Sequence, residues 1–191
     1  SGDGGQATDA QLDAPLGVAF YADGNLYIGD SGNHVIRKVD TNGIISTLAG
    51  TAQESGFVDG VTGTQARFNT PSTLAIDSKG NLYVTDSSNQ RVRKITPDGA
   101  VSTIAGNGDR AYTADSVATT TSLSSPFGIS IDQNDNIYLS DSWNYVIRKI
   151  TPRRTTLKVP SEYATIQSAI DYAIKGDTVS VAAGTYKENI N

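Results

Sequence analysis

GNLYIGDSGNHVIRKV (residues 24–39), GNLYVTDSSNQRVRKI (80–95) and DNIYLSDSWNYVIRKI (135–150) are three versions of one pattern, and that recurrence decides how the whole chain is read. Extended outward, Pro15 to Gly50 aligns with Pro71 to Gly106 without a gap, and Pro126 to Pro152 is a third copy that stops short. The three prolines set periods of 56 and 55 residues, the length range of repeat architectures rather than of a single unrepeated domain.

Inside each copy, apolar and polar residues alternate over four to six positions and turn residues interrupt them, which is the period of half-buried strands. In the first copy the strands are expected over Gly17–Phe20, Leu26–Gly29, His34–Val39 and Ile44–Ala49. Asp23-Gly24-Asn25 suits a hairpin whose central residues take positive φ. Asp30–Asn33 and Thr41-Asn42-Gly43 supply the other two turns. Four consecutive antiparallel strands make one propeller blade, so the predicted fold class is mainly β: three four-stranded antiparallel blades forming a partial propeller.

The Gly-Asn turn, apolar-Tyr-apolar strand, Asp, Asn-His type turn and Ile-Arg-Lys strand resemble the NHL repeat family of β-propellers, over residues 1 to 152. The resemblance makes 15–152 three blades, starting near 15, 71 and 126. Ser1 to Ala14 is then an inter-blade linker corresponding to Phe57–Thr70 and Tyr112–Ser125, with Leu12, Phe68 and Leu123 in equivalent places. Propellers close with about four to eight blades, and an open stack of three exposes two apolar faces. Two chains are therefore expected to combine as three plus three blades, unless the chain is part of a longer propeller. The lack of an initiator methionine is read as the mark of a fragment or a processed product.

After Pro152 the rhythm breaks. Thr155–Val159 alternates suitably for a fourth strand of the third blade, and Pro160 ends it. Ser161 reads as a helix N-cap, and Ile166, Ala169, Ile170 and Ala173 lie on one helical face, predicting an amphipathic helix over about 162–174. Gly176 stops it, and Thr178–Ala182 reads as a strand. The string VPSEYATIQSAIDYAIKGDTVSVAAGTYKENI resembles the amino-terminal cap of right-handed parallel β-helix proteins of the pectin-lyase-like group, so 153–191 is expected to be cap-like. That resemblance implies a large secreted or surface protein of bacterial or archaeal origin, but it carries over no catalytic residue, because those of the group lie on later rungs.

Composition removes several functions. Cysteine is absent, which excludes disulfides, a thiolate nucleophile and a cysteine zinc site. The net charge of −5 opposes a phosphate-tracking surface, so nucleic acid is not an expected partner. No apolar run approaches the roughly 18 residues of a membrane span. No cofactor is expected.

The candidate residues follow from the alignment. His34, the single histidine, aligns with Gln90 and Tyr145, a position that tolerates three chemistries and lacks the partners a metal ligand or general base needs. Asp30, Asp86 and Asp141 recur once per blade, as do Arg37, Arg93 and Arg148; this is the distribution of residues that pin each turn to its neighbour, since Asp caps backbone N–H groups and Arg pairs with carboxylates. Asp132–Asn136 looks like the start of a calcium loop but lacks the glycine and distal glutamate, and it aligns with plain hairpin turns. Trp143 stands where the sister copies have Gly32 and Ser88, and is either buried against the cap region or exposed beside Tyr145 as a contact surface. Trp143, Tyr145, His34 and Gln90 are thus the candidate binding residues, on a rim shared with the long connections Thr51–Thr70 and Asn107–Ser125. The expected partner is a protein or carbohydrate ligand on that rim, together with self-association or further domains of the same protein. The expected function is a non-catalytic extracellular binding, adhesion or assembly module. The alternatives are a fragment of a secreted carbohydrate-active enzyme or propeller lyase or lactonase, and a subunit that polymerises through open blade faces.

Overall fold

The computed structural model describes residues 1–114, 117–151, 156–159, 161, 164–172 and 178–182. The chain divides into two units, Ser1–Thr151 and Pro152–Asn191.

The first unit consists of three antiparallel sheets. The first joins β1 (Pro15–Phe20), β2 (Leu26–Asp30), β3 (Val35–Val39) and β4 (Ile45–Ala49) in sequential order. The second adds a short β5 (Val61–Thr62) outside β9 (Ala100–Ala105), followed by β8 (Arg91–Ile95), β7 (Leu82–Asp86) and β6 (Pro71–Ile76). The third contains β10 (Pro126–Ile131), β11 (Ile137–Asp141) and β12 (Val146–Ile150). The first strands of successive blades, β1, β6 and β10, pack side by side, so they are innermost and the fourth strands lie outermost. The linkers cover those outer edges: Thr62 pairs with Ala100, and Gln6 bridges Ile44 at the equivalent place in the first blade. A covered edge cannot template further pairing.

The third blade therefore differs from the expected four strands, having three among the described residues. Thr156–Val159 (β13), the candidate for its fourth strand, pairs in parallel with Thr178–Val181 (β14) in the second unit. The reason is chemical: the outer strands of the first two blades read ISTLA and AVSTIA, whereas TLKV follows a proline and two arginines and brings no equivalent of Ala49 or Ala105.

The predicted hairpin is also adjusted. The β1–β2 loop spans Tyr21 to Asn25, and Gly24 alone in it has positive φ, 84°. Asp23 instead accepts the Asn25 N–H at 2.9 Å, so a side chain supplies the turn that a second positive φ would have made. In the second unit, α1 covers Ile166–Tyr172, and both ends of the 162–174 prediction lie outside the described residues. Thr165, not Ser161, caps it: the Ser168 N–H donates to Thr165 Oγ1 at 3.0 Å and the Thr165 N–H to Ser168 Oγ at 3.2 Å, a reciprocal capping pair.

The core lies between blades rather than within them. Ile36 and Ala49 of the first blade meet Phe68, Leu74, Val84 and Val101 of the second in one buried cluster. Val92 and Ala105 of the second meet Leu123 and Leu139 of the third in another. Each blade thus offers one apolar face to its predecessor and one to its successor.

Candidate functional site

Each blade's second turn holds the same polar device. The carboxylates of Asp30, Asp86 and Asp141 accept the backbone N–H of Asp13, Asn69 and Ser124 at 2.6–2.7 Å, fastening the incoming linker to the end of the second strand. They also accept the side-chain amides of Asn33, Asn89 and Asn144. The arginines complete the set, with Arg37 at 3.4 Å from Asp30, Arg93 at 3.0 Å from Asp86 and Arg148 at 2.7 Å from Asp141. All three carboxylates are fully buried. Burial pushes Asp86 up to about 6, against the opposing pull of its bonds from Asn89, the Asn69 N–H and Arg93.

The arginines reach further than the repeat pattern indicated. Arg37 pairs with Asp3 and Arg93 with Asp59, and the same two carboxylates accept the Thr47 and Thr103 N–H groups of the outer strands. Asp3 and Asp59 are one 56-residue period apart, so the alignment contained this signal although no motif flagged it. Aromatic rings add to the arginine sites, with Arg93 over Phe57 and Phe68 at 4.9 and 5.0 Å and Arg148 over Tyr112 at 5.4 Å.

His34, Gln90 and Tyr145 share a backbone requirement, φ of 59°, 55° and 58°, at the residue that ends the turn. A left-handed position selects for conformation and leaves side-chain chemistry free. That freedom is used between blades: His34 Nδ1 accepts the Thr70 N–H at 3.3 Å, and Gln90 Oε1 accepts the Ser125 N–H at 2.6 Å. Neighbouring hydroxyls do the same, since Ser31 donates to the Pro71 carbonyl and Ser87 to the Pro126 carbonyl, each at 2.5 Å. Tyr145 and Ser142 occupy these places in the third blade, which no further blade follows among the described residues, and Tyr145 is 93% exposed.

Trp143 is 62% exposed, and its ring carries the Arg110 guanidinium at 4.6 Å. Its N–H donates to the Ser124 carbonyl, as those of Gly32 and Ser88 donate to Asp13 and Asn69. Backbone geometry is thus common to the three, and the indole is an addition pointing outward. In the first blade a Cβ on Gly32 would stand 2.5 Å from Asp13 Cγ, so any side chain there would displace the exposed Asp13 carboxylate. Of the Ser161–Ile174 stretch against which Trp143 was alternatively expected to pack, residues 162, 163, 173 and 174 lie outside the described residues, and the stretch belongs to the second unit.

The long connections do return to this rim. The Gln53 N–H donates to the Asn33 carbonyl, Asn89 Nδ2 to the Gly56 carbonyl and Asn144 Nδ2 to the Ala111 carbonyl. At the opposite end of the blades lies a second inter-blade line, in which Asp135 accepts the Ser78 N–H and hydroxyl at 2.9 and 2.7 Å. The calcium-like loop is self-saturated: Asp132 accepts the N–H of Asn134 and Asn136, the Asn136 side chain and the Tyr138 hydroxyl.

Both end faces are open. Val18 is 65% exposed where its equivalent Leu74 is 7% exposed, and Leu16 and Phe20 beside it are exposed too. At the other end Ile147 is 71% exposed where Ile36 and Val92 are wholly buried. These differences measure what an adjoining blade covers.

Residues 1–57 match the Teneurin NHL domain and residues 68–95 the NHL repeat. Teneurin-3 of Danio rerio is 34% identical over 166 residues, covering 78% of this chain and 6% of the teneurin, so the chain spans a small fraction of that relative's length. Among solved structures, a structural genomics protein of unknown function from Bacteroides thetaiotaomicron superposes with a TM-score of 0.66 at 27% identity, over 74% of this chain and 36% of that one. An auxiliary nutrient binding protein from the same organism gives 0.62 at 25% identity, over 69% and 36%. Sequence repeats, sheet order and these matches agree that the blades of this chain are those of the NHL-repeat β-propeller family.

Proposed function

We propose that this chain is a non-catalytic binding, adhesion or assembly module of an extracellular or cell-surface protein of prokaryotic source, and that two copies close a six-bladed ring as three plus three blades. The observation that carries the reading is the half-completed inter-blade bonding at the two ends. Ser142 and Tyr145 are placed to meet a following blade as Ser31 and His34 meet Thr70 and Pro71. Ala14, with φ of 43°, and Pro15 repeat the backbone of Thr70 and Ser125, which receive those contacts elsewhere. The exposed apolar faces around Val18 and Ile147 are the counterparts of the two buried clusters. Similarity to a teneurin and to a nutrient binding protein supports binding over catalysis. The innermost strands bring Gly-Val-Ala-Phe, Thr-Leu-Ala-Ile and Gly-Ile-Ser-Ile, which offer no acid-base pair.

Light scattering tests the ring. A dimer of the 20.1 kDa chain whose mass holds constant with concentration is expected, and Ile147→Lys should return it to monomer. A folded monomer at all concentrations would overturn the ring, and unlimited growth would favour the polymerising alternative.

A second reading concerns the rim. Trp143, exposed and stacked on Arg110 beside Tyr145, offers an amphipathic surface to a protein or carbohydrate ligand. Titration with oligosaccharides and peptides, followed by the Trp143 fluorescence, tests it; silence toward both classes removes it.

The second unit we read as the cap of a β-helix. The parallel pairing of β13 with β14 through a helical connection supports this, since parallel rungs are what such a cap would open.

A further inference from the structure

The third blade has a groove along β12 where the sister blades carry a fourth strand, and among the described residues no strand lies there. Its volume is about 530 Å³, and Ala105, Leu123, Leu139 and Ile150 line it beside the edge of β12 that no strand pairs among the described residues. One period earlier the corresponding residues are Ala49, Phe68, Val84 and Ile95, and these form a closed cluster. What closes it is Val101, from the outer strand β9, which is 1% exposed. The third blade has every wall of that cluster and, among the described residues, lacks its plug.

We propose that this groove is a binding site for an extended peptide strand supplied by another polypeptide, with small and β-branched residues in the pattern of GIISTLAG (43–50) and GAVSTIAG (99–106). The sister blades define the register: Ile95 pairs with Val101, Lys94 with Ser102, Arg93 with Thr103 and Val92 with Ala105. The incoming strand accordingly runs antiparallel to β12, places Val or Ile opposite Ile150 to fill the cavity, and sets alanine opposite Ile147. Alanine is required there because Ala49 and Ala105 lie flat between blades, both essentially unexposed. Backbone pairing provides the affinity and the two pockets the selectivity, the mode by which exposed sheet edges capture peptides. The groove adjoins the Ile147 face that ring closure uses, and peptide anisotropy and dimer mass are read separately, so failure of one reading is distinguishable from failure of the other.

The test uses the full chain and a fluorescein-labelled peptide containing GAVSTIAG. Saturable anisotropy is expected, with about tenfold or greater slowing of exchange at those Val146–Ile150 amides that do not bond β11. A scrambled peptide should not bind, and Ala118→Trp, which fills the groove from its wall, should weaken binding at least about tenfold at an unchanged melting temperature. A peptide in which the valine is replaced by aspartate should fail as well, and this needs no protein variant. Absence of binding by the folded chain overturns the proposal, as does binding indifferent to both changes. Exchange protection, in the free chain, of the β12 amides that do not bond β11 also overturns it, since the groove would then be filled by the chain's own later residues.

Discussion

Arg93 donates to Asp86 at 3.0 Å, and both side chains are wholly removed from water. The same carboxylate holds the Asn69 N–H and the Asn89 amide, and the same guanidinium holds the Arg67 and Val58 carbonyls and Asp59. One ion pair therefore joins the linker, the second turn and the third strand of the middle blade.

Removing one member leaves the other charged and buried. Asp86→Ala is expected to cost roughly 3–5 kcal/mol, because Arg93 loses its fully buried counter-charge and the Asn69 N–H and Asn89 amide lose their acceptor. Asp141→Ala should cost less, since the Arg148 side chain retains 16% exposure and is closer to water. Urea unfolding midpoints of the two variants check the order.

Acid titration should reveal two opposite contributions. Burial raises Asp86 to about 6, so its share of stability is fully present below the unfolded value near 3.8 and is lost as pH rises through about 6. For Asp77, burial raises the carboxyl, but the bonds from Asn81, Lys79 and Tyr83 outweigh it and lower it. Its share is present above 3.8 and lost as pH falls through the depressed folded value. Unfolding measured from pH 3 to 7 should lose the first slope in Asp86→Asn and the second in Asp77→Asn.

Gly29 permits the first two blades to approach. A Cβ there would stand 2.7 Å from the Ser72 carbonyl oxygen, and backbone cannot move aside as a flexible side chain would. Gly29→Ala is expected to destabilise by about 1–3 kcal/mol through overpacking alone. The middle blade carries Thr85 at this position, and its hydroxyl bonds the Phe127 carbonyl at 2.8 Å, so Thr85→Gly should also destabilise. Thermal melts of the two variants distinguish a clash from a lost bond.

Trp143 should emit at long wavelength and be open to acrylamide quenching. Trp143→Ala is expected to change stability by no more than about 1 kcal/mol, the size of an exposed cation–π contact with Arg110. Emission spectra and melts of the same samples check both statements.

Much of the architecture was legible in the repeat. Alternation located eleven of the strands because a half-buried strand must alternate, and the recurring Asp and Arg read as structural pins because a residue present once per blade serves each blade alike. The position of His34 was legible only in part. Its variability was visible, yet the left-handed backbone and the bond to Thr70 depend on a residue 36 positions away. The third blade misled the strand count for a related reason: Thr155–Val159 alternates well enough, and alternation cannot say which edge a strand will join.

The sequence by itself determined the blade, its period and its turns, because these rest on local alternation, turn chemistry and recurrence. Tertiary structure alone decided how blades meet: which face buries Ile36 and leaves Ile147 open, which carboxylate ties Arg93 to the outer strand, and which blade has three strands among the described residues. Those are contacts between residues tens of positions apart, and the free energy of burying a side chain depends on what covers it, which no local pattern records.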